Sequence, residues 1–120
     1  MEGQSILISL NGADPLALSD EEIVKTYLKE AVKIIGLTPV ENSMQIYSFP
    51  VLNSPQLSGI TGGIILLESH AYLHSWPENG YIRIEFSSCK SLEGCKMDAL
   101  LLYSKEMFKS KKEEYDVIGW

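Results

Sequence analysis

Residues 62–89 of this chain read GGIILLESHAYLHSWPENGYIRIEFSSC, and this stretch decides the fold. It opens with the apolar run 62–67, which is typical of a buried strand. In the segment 71–76, small or aliphatic residues alternate with residues that carry rings, and the turn residues 77–80 follow. A third strand, 81–88, ends at Cys89. The stretch therefore predicts two antiparallel hairpins that share their middle strand.

The first of the two predicted turns, Glu68-Ser69-His70, has an unusual composition. Tight hairpin connections normally use glycine, asparagine or aspartate, because those residues reach positive φ at little cost. Here a hydroxyl lies between a carboxylate and an imidazole where the chain must reverse. Such a turn predicts a strained peptide, which makes the serine a candidate functional residue.

Length and composition describe a single domain, residues 1–120. The net charge of −6, with Arg83 as the only arginine, argues against a nucleic-acid surface, which needs a basic stripe. No apolar run approaches the roughly 20 residues that span a bilayer, and the start Met1–Gln4 lacks the features of a signal peptide. Two cysteines, Cys89 and Cys95, give neither a disulfide framework nor a metal site. We therefore expect a cytoplasmic protein with no membrane or nucleic-acid partner and no bound metal.

The rest of the chain predicts two helices and further strands around this stretch. Ser19 and Glu22 match a capping box at the start of the first helix, and Gly36 is expected to end it. A second helix is predicted over 96–109. The remaining predicted elements are strands at 5–10 and 44–49, a loop at 50–59, a short strand near 115–118 and a charged, solvated surface at 109–114.

Strand parity divides the side chains of this stretch between two faces. In the third strand one face carries Ile82, Ile84 and Phe86, and the other carries Tyr81, Arg83, Glu85, Ser87 and Cys89. In the middle strand Leu73 faces one way, and the opposite side holds Tyr72, His74 and Trp76. Helices on the aliphatic face give an α/β fold of the α+β type, a two-layer sandwich of a mostly antiparallel sheet with two helices on one face. The opposite face mixes aromatic and polar groups, so it is expected to be covered.

Three spaced motifs in this stretch resemble those of the small, prokaryotic type of S-adenosylmethionine decarboxylase proenzyme. The Glu-Ser-His self-cleavage motif of that pyruvoyl-dependent family matches residues 68–70, and its His-(Thr/Ser)-Trp-Pro-Glu motif matches residues 74–78. The Gly-Tyr pair and the cysteine that follow match Gly80, Tyr81 and Cys89. The clear match covers about a quarter of the chain, and a looser one extends to the N-terminal strand and both helices. Three motifs in register are far more specific than any one alone.

The resemblance implies a precursor, or zymogen, that undergoes autocatalytic cleavage between Glu68 and Ser69. Its products are a β chain of residues 1–68 and an α chain of residues 69–120. The α chain would begin with a covalent pyruvoyl group derived from Ser69. The resemblance also implies a homodimer in which two sheets pack face to face, in a four-layer αββα arrangement with active sites close to the interface.

The chemistry explains why such an enzyme needs this group. Decarboxylation of an α-amino acid leaves a carbanion, and no ordinary side chain provides the electron sink that the carbanion requires. A ketone joined to the substrate amine as a Schiff base is such a sink, and Ser69 can become that ketone. Its hydroxyl attacks the carbonyl of Glu68, elimination of the resulting ester leaves dehydroalanine, and hydrolysis gives pyruvoyl.

The resemblance also assigns roles to residues outside the cleavage motif. His74 is the proton acceptor of the elimination step, and Cys89 returns a proton to the substrate carbon after carbon dioxide leaves. Thr61 lies where the family has a serine that helps to stabilise the oxyoxazolidine intermediate of self-cleavage. Glu78 is a candidate for binding polar groups of the substrate, and Trp76 is a candidate for stacking on it.

Departures from the family bear on the substrate. Ser9 stands where bacterial members carry an acidic residue, the segment 50–59 is enlarged, and Phe49 is similar in position to an aromatic residue that stacks on adenine. The leading prediction is a carboxy-lyase, an S-adenosylmethionine decarboxylase that supplies the aminopropyl donor for spermidine and hence polyamine biosynthesis. One alternative is a pyruvoyl-dependent arginine or ornithine decarboxylase of the same fold. Another is a non-catalytic paralogue that acts as a partner subunit of an active enzyme.

Overall fold

Six strands form one open antiparallel sheet in the computed structural model, which describes residues 1–120. The strands are β1 (Gln4–Asn11), β2 (Gln45–Val51), β3 (Ser54–Leu66), β4 (Ser69–Trp76), β5 (Tyr81–Ser88) and β6 (Lys112–Gly119), in the spatial order β2-β3-β4-β5-β1-β6. The helices are α1 (Pro15–Leu18), α2 (Glu21–Ile34) and α3 (Gly94–Phe108). The two hairpins share β4, as the sequence predicts. None of the helices has the length and apolar character that crossing a membrane requires.

The helices cover one face of the sheet, and the core lies between the two layers. Ile82, Ile84 and Phe86 of β5 are fully buried there. They belong to one apolar cluster with helical side chains such as Leu28 and Phe108. Burying each such side chain contributes about 1.5–3 kcal/mol to the free energy of folding. A shift of one residue in strand register would move these side chains to the other face and lose this contribution. The predicted division of faces and the two-layer sandwich are confirmed.

The predicted capping box at the start of the first helix is wrong. Asp20 caps α2, because its carboxylate accepts hydrogen bonds from the backbone N–H groups of Glu22 and Ile23. The hydroxyl of Ser19 instead donates a hydrogen bond to the carbonyl of Pro15. The short helix α1, which the sequence analysis did not predict, therefore uses Ser19 at its own C-terminal end.

The segment 50–59 is a hairpin and not the predicted loop. β2 and β3 both extend into it, and Asn53 makes the reversal between them with φ of 68°. Asparagine reaches this left-handed conformation more readily than most non-glycine residues. Pro50 is tolerated because β2 is an edge strand, where a missing N–H costs little. Gly36, with φ of 74°, ends α2 as predicted.

The C-terminal elements are longer than predicted. α3 covers 94–108 where the sequence predicts 96–109, and β6 covers 112–119 where it predicts a short strand. β6 pairs with β1 over its whole length. The charged residues 112–114 therefore lie in an edge strand, where charge opposes edge-to-edge association.

The hydroxyl of Ser75 fixes the β4 backbone at the point where two candidate site residues flank it. Ser75 is fully buried. It donates a hydrogen bond to the carbonyl of Leu18 at 2.9 Å and accepts one from the N–H of Ile60 at 3.0 Å. Because both partners would be left unsatisfied without it, this hydroxyl has a structural role between His74 and Trp76.

Candidate active site

The turn between β3 and β4 is shorter than predicted and lies one residue earlier. Leu67 and Glu68 alone make the reversal, because Leu66 pairs with Ser69 across the ladder. Ser69 and His70 are therefore the first residues of β4, and the predicted turn at 68–70 is corrected. No residue of this turn has positive φ, so the expected strain does not arise from a left-handed residue.

The carboxylate of Glu68 anchors this turn to the segment that follows α2. It accepts hydrogen bonds from the N–H and the hydroxyl of Thr38, both at 2.9 Å, and Nζ of Lys90 lies 3.9 Å away. Burial alone would raise the pKa of this carboxyl, whose side chain is only 13% exposed. The hydrogen bonds from Thr38 and the charge of Lys90 outweigh burial and hold the pKa of Glu68 below its usual value. Glu68 is therefore charged and fixed at neutral pH.

A chain of hydrogen bonds connects Ser69 to a carboxylate on the neighbouring strand. The Ser69 hydroxyl lies 3.1 Å from Nδ1 of His70, and Nε2 of His70 lies 2.7 Å from Oε2 of Glu85. The His70 ring also packs against Tyr72, with the ring centres 5.5 Å apart. A hydroxyl, an imidazole and a carboxylate in this order can activate the hydroxyl as a nucleophile.

The carbonyl group next to Ser69 accepts a hydrogen bond from β5. The backbone N–H of Cys89 donates to the carbonyl oxygen of Glu68 at 3.0 Å. Ser88, directly before Cys89, is the ladder partner of Ser69. Cys89 itself carries an exposed free thiol. The structure thus brings the predicted cleavage site and the predicted proton donor to the same end of the sheet.

The second predicted pair, Thr61 and His74, lies further along β4. The Thr61 hydroxyl is 2.6 Å from Nδ1 of His74, and the two residues face each other across the β3–β4 ladder. His74 follows Ser69 by five residues on the same strand. At about 3.3 Å per residue, this spacing separates them by about 17 Å. His74 therefore does not reach Ser69 within one chain.

Trp76 and Glu78 line a cleft at the far end of β4. Its volume is about 390 Å³, and its walls include Phe49 and His74. The rings of His74 and Trp76 lie 4.2 Å apart, and Trp76 packs against Tyr81 at 5.5 Å. Aromatic surface beside one carboxylate can bind a flat or cationic group. A larger cavity of about 750 Å³ lies beside α2 on the other side of the sheet and contains none of these residues.

Sequence reasoning missed two residues at this site, Glu85 and Thr38. Parity puts Glu85 on the face of the sheet that the helices do not cover, called the open face below. Only the register of β4 against β5 brings Glu85 next to His70. Nothing in the sequence pointed to Thr38, because 30 residues separate it from Glu68.

The fold and the site together define a class of small two-layer α+β proteins that carry a Glu-Ser-His segment at a hairpin of an open sheet. The family model described as S-adenosylmethionine decarboxylase matches residues 4–119, nearly the whole chain. The chain belongs to this family.

Individual relatives agree with this assignment. A proenzyme named S-adenosylmethionine decarboxylase from Methanococcus vannielii is 37% identical over 87 residues, which cover 72% of this chain and 65% of the relative. The proenzyme of the same name from Parasynechococcus marenigrum is 35% identical over 74% of this chain and 63% of the relative. The chain thus spans slightly less than two thirds of both relatives. The crystal structure of the adenosylmethionine decarboxylase from Aquifex aeolicus VF5 superposes with a TM-score of 0.76 at 28% identity, over 98% of this chain and 88% of that one.

Proposed function

We propose that this chain is a pyruvoyl-dependent S-adenosylmethionine decarboxylase, made as a single-domain precursor that cleaves itself between Glu68 and Ser69. The products would be chains of residues 1–68 and 69–120. The arrangement at the Glu68–Ser69 bond carries the proposal: the Ser69 hydroxyl contacts an imidazole, and the adjacent Glu68 carbonyl accepts a hydrogen bond from Cys89. A nucleophile with a proton acceptor therefore lies next to a polarised carbonyl. Relatives named as proenzymes of this decarboxylase support the same activity.

The residues around Ser69 fit a pyruvoyl group. Ser69 is partly buried at the start of β4, and its ladder pairing with Ser88 would hold the new chain end after cleavage. When formed, the group supplies the electron sink that accepts charge as carbon dioxide leaves. Cys89, one residue beyond Ser88, would donate a proton to the substrate carbon, because a thiol carries a labile proton.

The separation of His74 from Ser69 supports a homodimer with shared active sites. Because the two residues of one chain are about 17 Å apart, the elimination step at Ser69 would be served by His74 of the partner subunit. The hydroxyl of Thr61 would fix the orientation of that imidazole through its contact with Nδ1. A twofold interface is reciprocal, so the same packing would build two equal sites.

The open face of the sheet has the surface that such a dimer needs. Tyr47, Phe49, Ile65 and Tyr72 are between 46% and 61% exposed in the single chain. Gly63 leaves the space that the Tyr72 ring occupies, because a Cβ atom at that position would collide with the ring. Several exposed aromatic and aliphatic side chains on one face of a sheet are typical of an interaction site. Two sheets packed through this face would give the four-layer αββα arrangement.

The cleft lined by Trp76 and Glu78 is the proposed binding position for the adenosyl and sulfonium parts of the substrate. Aromatic faces attract cations and stack on flat rings, and Phe49 extends the aromatic wall. Glu78 adds a carboxylate that can accept hydrogen bonds from the ribose hydroxyls. An arginine guanidinium can also stack on an aromatic ring, so the choice of S-adenosylmethionine rests on the relatives that are named as its decarboxylases.

Mass spectrometry and carbon dioxide release test the proposal together. Purified protein is expected to contain chains 1–68 and 69–120, the second with a ketone at its N-terminus. It should release labelled carbon dioxide from carboxyl-labelled S-adenosylmethionine, whose product would supply spermidine synthesis. Release from arginine or ornithine instead would overturn the substrate assignment. A protein that stays full length and inert would indicate the non-catalytic paralogue.

Replacing Cys89 with alanine separates the roles of its backbone and its side chain. The Cys89→Ala variant keeps the N–H that binds the Glu68 carbonyl, so its self-cleavage is expected to proceed at close to the wild-type rate. Turnover should fall about 100-fold or more, because general acid catalysis contributes at least that much. Cys95→Ala, at the other exposed free cysteine, is the matched control and should change neither rate. Unchanged turnover in Cys89→Ala would contradict its role as proton donor.

A further inference from the structure

We propose that His70 is the base that removes the hydroxyl proton of Ser69 in the first step of self-cleavage, and that Glu85 is the positioning residue that orients it. This inference rests on the proposed function, because it concerns how the same Glu68–Ser69 bond is cut. It gives the two histidines of the site separate steps: His70 would act on the hydroxyl, and His74 on the later elimination.

The contacts of His70 determine which of its nitrogens can accept a proton. An ionised carboxylate only accepts hydrogen bonds, so the 2.7 Å contact with Glu85 requires the proton of a neutral His70 on Nε2. Nδ1 then carries a free lone pair, and it faces the Ser69 hydroxyl at 3.1 Å. The hydroxyl must be the donor in this contact. Glu85 thus sets the tautomer in which His70 can act as a base.

The carbonyl under attack is prepared by a separate contact. The N–H of Cys89 lies 3.0 Å from the carbonyl oxygen of Glu68, on which negative charge develops when Ser69 attacks. The turn itself is held in place, because Thr38 binds the Glu68 carboxylate through two hydrogen bonds. Nucleophile, base and carbonyl are therefore all positioned before the reaction begins.

The first step balances with these groups alone. The Ser69 Oγ–H bond breaks and its proton moves to Nδ1 of His70, while Oγ bonds to the carbonyl carbon of Glu68 and the carbonyl electron pair moves to oxygen. The carbonyl then re-forms, the bond between that carbon and the Ser69 nitrogen breaks, and His70 returns the proton to the nitrogen. The product is an ester of Glu68 with a free amine on Ser69. No atom is gained or lost. His70 ends the step neutral because it has returned the proton that it accepted.

A purely structural role for the His70–Glu85 pair would have different consequences. The two side chains are 36% and 40% exposed, and a hydrogen bond at such partly exposed positions contributes only about 1 kcal/mol to stability. Loss of either partner is therefore expected to leave the fold intact and to act on the cleavage rate. No other residue has a side-chain hydrogen bond to the Ser69 hydroxyl, so the rate should depend on this pair.

The test follows the cleavage of freshly synthesised full-length protein by intact-mass spectrometry. His70→Ala is expected to slow cleavage by about 100-fold or more, and added imidazole should restore part of the rate. Glu85→Gln, whose amide oxygen still accepts from Nε2, should slow it roughly 10-fold, and Glu85→Asp, which keeps the charge, should retain more of the rate than Glu85→Gln. Asp116→Asn is the matched control on the same open face and should cleave like the wild type.

Hydroxylamine identifies the step that each histidine serves, because it cuts esters and leaves amides intact. His74→Ala should accumulate the ester, so hydroxylamine should split it after residue 68. His70→Ala should hold the original amide and remain resistant. Wild-type cleavage in His70→Ala or Glu85→Gln, or a hydroxylamine-sensitive His70→Ala, would overturn the inference while the proposed function stands. A wild-type protein that never splits would overturn the proposed function itself.

Discussion

The Ser69→Ala variant is expected to remain one uncleaved chain and to release no carbon dioxide from any amino-acid substrate. The hydroxyl of Ser69 is the only group of this chain proposed to attack the Glu68 carbonyl, and it is also the precursor of the electron sink. Its loss therefore removes cleavage and catalysis together, and no partial activity is expected. The loss of one partly buried hydrogen bond should cost only about 1 kcal/mol of folding free energy, so the variant should fold.

Intact-mass spectrometry and labelled carbon dioxide release measure both effects of Ser69→Ala. Ser91→Ala, at an exposed serine outside the strands, is the matched control and should split and turn over normally. Thermal unfolding of the two variants should show midpoints close to each other. A Ser69→Ala protein that still divides after residue 68 would refute the self-cleavage mechanism.

A second large effect is expected when two inactive chains are combined. The His74→Ala chain should not complete cleavage alone, because each site would lack the partner's imidazole. Co-expression with Ser69→Ala should restore cleavage of the His74→Ala chain. In the mixed dimer, Ser69 of one chain would meet His74 of the partner subunit, and one complete site would form. The reciprocal site would lack both residues, so the Ser69→Ala chain should stay whole.

A mass tag on one chain allows each product to be assigned, and native mass spectrometry of the tagged and untagged chains establishes that mixed dimers form. The control partner carries Ser69→Ala and His74→Ala together, and it should not restore cleavage, since no intact His74 is then present. Cleavage of the His74→Ala chain with this control partner, or its full cleavage without any partner, would contradict the shared site. The shared site would also be contradicted if the His74→Ala chain stayed uncleaved when it is co-expressed with the Ser69→Ala chain.

The sequence predicted which side chains share a face of the sheet, but not which of them are in contact. Parity along β4 and β5 put Tyr72, His74 and Glu85 on the open face, and the structure confirms this. The structure also brings the cleavage motif and Cys89 together, which the sequence did not predict, because this contact depends on the register of β4 against β5. The pairing of His70 with Glu85 was not predicted, because it depends on the stagger between two strands and not on the period of either.

The errors in the fold prediction share a physical cause. Prolines and polar residues made 50–59 resemble a loop, yet strand pairing with its neighbour overrides local propensity there, and Asn53 supplies the turn. Asp20 caps α2 in place of the predicted Ser19, because Ser19 is the C-terminal cap of the preceding short helix α1. In both places, a contact with another element decided between two locally acceptable conformations.

The sequence by itself determined the alternation of faces and the order of the strands in the two hairpins. These follow from periodicity and spacing, which act between near neighbours in the chain. Only the tertiary structure decided that Thr38 holds Glu68, that Glu85 orients His70, and that His74 lies out of reach of Ser69 in its own chain. Such contacts depend on how distant segments of the chain pack against each other. This packing is fixed by burial of the common core, to which the whole chain contributes.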